Sequence, residues 1–196
     1  MTLSKDEIKK VYSSDVSFFD KIKTVLASPS RFYNSVKAET GFKAPMVYLL
    51  VMSAVSVVLS MVYSYTGLPG STASSVSGVL AGIPLAWISG IVATFIIAAV
   101  FHIFVYLLGG KNGFLQTFKS DVYGSTPTYL LGWIPYVNIA VGIYALFYLI
   151  PKGISIQHNM SMGRAILAIL LPVVIIVLVI FLLAAALLMT LFSSIV

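Results

Sequence analysis

The chain contains no cysteine, which removes disulfides, thiolate metal centres and a cysteine nucleophile at one stroke. Charge is scarce as well: only 9% of 196 residues are Asp, Glu, Lys or Arg, where a soluble domain carries roughly a quarter. Acid is scarcer still, with six carboxylates in all and Asp121 the only one after Glu39. A single carboxylate in the apolar region cannot form an aspartyl-protease pair. The two histidines, His102 and His158, lack the HExxH spacing of a zincin. Ser125 lies in "YGSTP", which has no nucleophile elbow or oxyanion-hole context. "LLGGKNGF" has neither the GxxxxGK[ST] spacing nor the preceding strand of a phosphate loop and is read as a turn. No enzyme, no cofactor and no metal is therefore expected.

What is abundant is apolar: 59% of the residues, with a mean hydropathy of +1.02. Apolar runs of about 20 residues read as bilayer-spanning helices. The N-terminal "MTLSKDEIKKVYSSD" is polar and lacks the apolar core of a cleavable signal. The expected fold is all-α: a polytopic membrane protein with a cytoplasmic arm over residues 1–43 and a membrane domain over 44–196. Spans are expected at about 44–66, 84–108, 114–133, 136–150 and 165–192. Pro84 reads as an entry proline and Pro172 as a kink.

The arm holds two amphipathic segments. Phe18, Phe19, Ile22, Val25 and Leu26 share one helical face, with Asp15 as N-cap. Ser28-Pro29 reads as a second N-cap with proline at the first helical position, and Phe32, Tyr33 and Val36 continue the stripe between Arg31 and Lys37. Such faces lie in the membrane interface or pack on the protein's own spans, and the residues alone leave both open. Phe18, Phe19, Ile22, Arg31 and Phe32 are the candidate interfacial residues.

Residues 114–150 pass as one span or as a hairpin of two, and the positive-inside rule chooses. With a hairpin and a cytoplasmic N-terminus all 12 Lys and Arg face the cytoplasm: eight in the arm, then Lys111 and Lys119, then Lys152 and Arg164. A single span would send Lys152 and Arg164 outside. The hairpin is preferred, with its outer turn at Gly132–Pro135, Trp133 and Tyr136 as interfacial anchors, and the C-terminus outside. Tyr123 to Trp133 alone rises only about 16 Å, so the third helix has to begin near Phe114 and carry Lys119 and Asp121 with it. The net charge of +6, distributed in this way, suits membrane headgroups rather than nucleic acid.

Asp121 is the strongest single functional candidate, because intramembrane carboxylates are costly and mark ion or proton paths. Its alternative is an interfacial salt bridge or a hydrogen-bonded turn with a basic loop residue. His102 is a possible relay partner for Asp121, or it bonds across helices as packing glue. Lys119 snorkels outward. His158 is expected in a solvated loop, "KGISIQHNMSMGR".

The arm motif "VLASPSRFYNSV" with Pro29, the proline-entered first span and "HIFVYLLGGKNGFLQTFKSDVYGSTPTYLLGWIP" resemble the Yip1 domain family of small five-span membrane proteins. The resemblance covers roughly residues 17–192. It rests most on Gly109-Gly110 followed by Tyr123, Gly124, Pro127 and Pro135, then on "PKGISIQHNMSMGRA" and the final apolar span. It implies a polytopic scaffold in an integral membrane: the cell membrane in a prokaryote or archaeon, ER or Golgi membranes in a eukaryote. Eukaryotic members are tied to vesicle traffic and interact with prenylated Rab-type GTPases and with each other; prokaryotic members have no agreed activity. The eukaryotic Asp-Leu-Tyr-Gly-Pro motif precedes the first span, whereas "DVYGS" here follows the second, so that motif's role is not carried over. The short arm and "SPSRFY" look like prokaryotic or archaeal members, and a small GTPase rests on the resemblance alone.

The expected function is a non-enzymatic scaffold or adaptor whose partners are anionic lipid headgroups, other membrane proteins or itself. Deleting residues 1–40 is expected to abolish recruitment and leave insertion intact. The alternative is a small channel or transporter using Asp121 and His102.

Overall fold

The computed structural model describes residues 17–66 and 76–193, and every regular element among them is helical. The Asp15 cap, the first 16 residues and most of the "GLPGSTASSVSG" connection lie outside the described residues. Two short helices, α1 (Phe18–Ala27) and α2 (Pro29–Val36), precede α3 (Lys43–Ser64) and α4 (Val76–Leu107). Then come α5 (Phe114–Gly124), α6 (Thr126–Leu131), α7 (Val137–Tyr144), a π-helical turn (Ala145–Leu149), α8 (Ile150–His158) and α9 (Met162–Ser193). Among the described residues four helical stretches are long and apolar enough to cross a membrane: Lys43–Ser64, Leu80–Leu107, Val137–His158 and Met162–Thr190.

Two expectations are corrected here. Residues 114–133 are not one helix, and none of the four long apolar helices of the described residues lies there. The helix breaks at Ser125, where Pro127, lacking an N–H and fixed in φ, starts α6 afresh. The fourth passage does not end at Ile150: the π turn carries the helix on to His158, so "KGISIQH" is helical rather than loop. Asn159, in the left-handed conformation at φ 54°, ends it.

Neighbouring passages can be oriented from their contacts. Phe42 meets Phe118, Tyr48 meets Tyr123, and Tyr63 meets Trp133, so α3 and the α5–α6 passage run parallel. Thr117 bonds His158, and a Cβ on Gly153 would reach Ser120, so α5 and α8 run antiparallel.

The buried core lies toward one end. Val25, Phe32, Tyr33 and Val36 of the arm join Tyr48, Leu49, Met52, Phe118, Val122 and Tyr123 in one cluster. A second joins Phe101 and Val105 of α4 to Ile150, Ile154, Ala165, Ala168 and Ile169. Beyond it, Val174 to Phe192 of α9 and Leu80 to Ile97 of α4 expose most of their large side chains, the state of helices surrounded by lipid.

Candidate functional site

The arm is not a surface attachment. Val25, Tyr33 and Phe32 are at most 2% exposed, and the Phe32 ring meets Tyr123 edge-on with centroids 5.0 Å apart. Of the two placements left open by the sequence, α2 takes the second and packs on α8, and touches α5 through Phe32 and Tyr33. Phe18 packs on Tyr48 and Ile22 is partly buried, while Phe19, 78% exposed, and Arg31 face outward. Pro29 is buried at the first position of α2.

Lys119 explains how the arm is held. It does not snorkel. It is fully buried, and its Nζ donates to the carbonyl oxygens of Val36 at 2.9 Å and Glu39 at 3.1 Å. The last carbonyls of a helix have no intrahelical partner, and a cation there also suits the helix dipole. Lys119 thus caps the end of α2 from another helix, 83 residues along the chain. The Glu39 carboxylate completes the junction: one oxygen pairs with Lys21 of α1 and the other accepts from the Tyr123 hydroxyl at 2.9 Å. Tyr33 donates to the Ser120 carbonyl at 3.3 Å, and burial raises its hydroxyl well above the ordinary tyrosine value, keeping it a neutral donor. Lys37 donates to the Asn159 side chain.

Glycine makes room for this. A Cβ on Gly153 would stand 2.6 Å from Tyr33 Cε1 and 2.9 Å from Ser120 Cβ, and one on Gly124 would stand 2.6 Å from Ile150 Cγ1. Both positions let α5 and α8 approach at backbone distance. Tyr48 shares a 2.8 Å hydrogen bond with Thr126, which donates to the Tyr123 carbonyl. Gly109, at φ 98°, ends α4 in a turn in which Gly110 N–H reaches the Val105 carbonyl and Gly109 N–H that of Tyr106, a Schellman arrangement. Pro135 lies in the turn before Tyr136, which is 81% exposed.

A second polar group lies among α4, α5 and α8. Thr117 Oγ1 is 2.9 Å from His102 Nδ1 and 2.9 Å from His158 Nε2. His158 is therefore no solvated loop residue: it is 4% exposed, because α8 continues past its expected end. One hydroxyl proton serves one imidazole, so Thr117 donates to one ring and accepts from the other. Asp121, one turn after Thr117, is 4% exposed and forms no salt bridge among the described residues, so the alternative of a structural ion pair gains no support. His102 bonds Thr117 rather than Asp121 or Ser125. The described residues hold no cluster of three or more metal-ligating His, Cys, Asp or Glu.

Glu39, Thr117 and His158 are the site residues that sequence reasoning missed, and Tyr33 was read only as part of an apolar stripe. Glu39 alone left a signal, as the last acid before the apolar region.

The Yip1 domain family model matches residues 23–190. No curated protein and no solved structure matches the chain. The match takes in the second half of α1, all of α2, the Lys119–Glu39 junction and all but the end of α9, and the chain belongs to the Yip1 domain family.

Proposed function

We propose that this integral membrane protein of the Yip1 type acts as a scaffold or adaptor, with the docked arm as its recruiting surface. The observation that carries this reading is the junction of Lys119, Glu39 and Tyr123, which fixes the arm in one orientation. A fixed arm turns Phe19, Lys23 and Arg31 outward as an apolar and basic face, suited to anionic headgroups or to an acidic face of a membrane protein. The arm end faces the cytoplasm, residues 114–131 make a fifth crossing as a broken helix, and the C-terminus lies outside; the positive-inside rule supports this orientation. The test is crosslinking in native membranes with Phe19→Ala/Lys23→Glu/Arg31→Glu, which leaves the junction untouched. Loss of crosslinked partners with an unchanged melting temperature is expected; an unchanged partner set would sink the reading.

The Thr117-bridged imidazoles and buried Asp121 favour a second reading, a small channel or transporter. Flux through proteoliposomes that Asp121→Asn or His102→Ala abolishes would support it, and the absence of any ion or solute flux would remove it.

A further inference from the structure

The turn that joins α4 to α5 has a chemistry which the arm does not use. We infer that the Gly109–Gly113 turn, with Lys111 and Arg164, forms a site for a phosphate group, either the headgroup of an anionic lipid or free phosphate.

Three features converge there. The first is uncompensated positive charge. Lys111 and Arg164 are exposed, and the Arg164 guanidinium lies 3.7 Å from where a Cβ on Gly109 would stand, so it extends over the turn. The sequence has no Asp or Glu between Glu39 and Asp121 or after Asp121, and Asp121 is buried. Neither cation forms a salt bridge among the described residues. The second is the start of α5. Gly113 is its N-cap and offers no side-chain acceptor, and no acid lies in the first turn; Gln116 N–H turns back to the Gly113 carbonyl, which leaves the N–H groups of Phe114 and Leu115 and the positive end of the dipole to face an anion.

The third is an unpartnered group beneath the turn. His158 is 4% exposed, its Nδ1 has no hydrogen-bond partner, and that atom lies 3.1 Å from where a Cβ on Gly110 would stand. Asn112 clamps the turn over it by donating to the Gln157 carbonyl. When Thr117 donates to His158 Nε2, Nδ1 carries the ring proton and directs it at the turn. An anion above favours that tautomer, because it gives a buried N–H, otherwise costly, a negative charge to face. Only glycine at 110 lets the backbone lie this close, since a Cβ would meet Val105 Cγ1 at 2.5 Å.

The inference does not depend on the arm's recruiting role, and its test separates the two. The full chain is purified in detergent and exposed to phosphatidic acid, phosphatidylglycerol or phosphatidylcholine, with bound lipid counted by native mass spectrometry. The two anionic lipids are expected to be retained over phosphatidylcholine. Lys111→Ala/Arg164→Ala should lower that retention roughly tenfold, the scale of losing charge-assisted contacts from two cations. Lys43→Ala/Lys152→Ala removes the same charge from positions outside both the turn and the outward face of the arm and should leave retention unchanged. Equal loss with both pairs, or none with the first, would overturn the site in favour of diffuse attraction or no binding. Displacement by inorganic phosphate assigns the site to free phosphate, and persistence assigns it to the headgroup. In either case the His158 Nδ1 nitrogen resonance should move on binding; a stationary resonance would overturn the histidine's part.

Discussion

Tyr123 donates a 2.9 Å hydrogen bond to Glu39 across 84 residues of chain, joining a helix of the bundle to the segment between arm and first long helix. The same carboxylate holds Lys21, and its own backbone carbonyl accepts from Lys119. Tyr123→Phe is expected to cost about 1–2 kcal/mol, the net value of a bond to a charged acceptor. Measured by unfolding in detergent, the double variant with Glu39→Gln should lose less than the two single losses combined. Strict additivity would show that the two groups are not coupled.

Lys119→Met keeps the volume of the buried stem and removes its donors. The Glu39 carbonyl then loses its donor, while that of Val36 keeps the Glu39 N–H, so a cost of about 1–3 kcal/mol for one stranded acceptor is expected. Limited proteolysis should cut between residues 37 and 43 faster than in the parent protein, because the end of α2 is no longer held.

Gly153→Ala and Gly142→Ala form a contrast. The first places a methyl 2.6 Å from Tyr33 and should cost about 1–3 kcal/mol by overpacking. The second meets nothing within 4 Å and should be neutral or slightly stabilising, since alanine favours the helix. The melting temperature should fall for Gly153→Ala and stay at or slightly above the parent's for Gly142→Ala.

Thr117→Val has nearly the same shape but no hydroxyl. It leaves two imidazole nitrogens without their shared partner, so a loss of about 1–3 kcal/mol is expected, while Thr117→Ser keeps most of the stability. Nitrogen spectra of His102 and His158 should show both rings changing together in the valine variant and neither in the serine variant.

Deleting residues 1–40 removes Val25, Phe32, Tyr33 and Val36 from the larger core cluster. The truncated chain should still enter membranes through its long apolar helices, but it should elute from a sizing column as aggregate once extracted. A sharp monodisperse peak with the parent's melting temperature would contradict the packing described here.

The all-helical membrane fold was legible because apolar runs near bilayer length have few other uses, and the arm helices because Pro29 and the Phe18–Leu26 stripe mark them. What packs on the stripe was not legible. Periodicity shows that a face is apolar, but lipid and protein satisfy it equally. Lys119 was misread for a related reason: a lysine near a helix end ordinarily reaches water, and only the third dimension brings the carbonyls of Val36 and Glu39 within reach of it. His158 was misplaced because Pro151 and the polar "KGISIQH" read as a loop. Proline is harmless near the start of α8, and the π turn before it leaves the helix unbroken. The break at Ser125 was legible, because Gly124 and Pro127 interrupt the apolar run there and proline cannot continue a helix ladder.

The core clusters toward one end have a mechanical consequence. Helices anchored at a common root and bathed in hydrocarbon along the rest of their length behave like the tines of a fork. A thicker or thinner bilayer can change the splay of Val174–Phe192 and Leu80–Ile97 at small cost, whereas the root resists because its side chains interlock. A change of bilayer thickness is thereby expected to be absorbed along the free lengths, leaving the base, where the arm is fastened, unmoved.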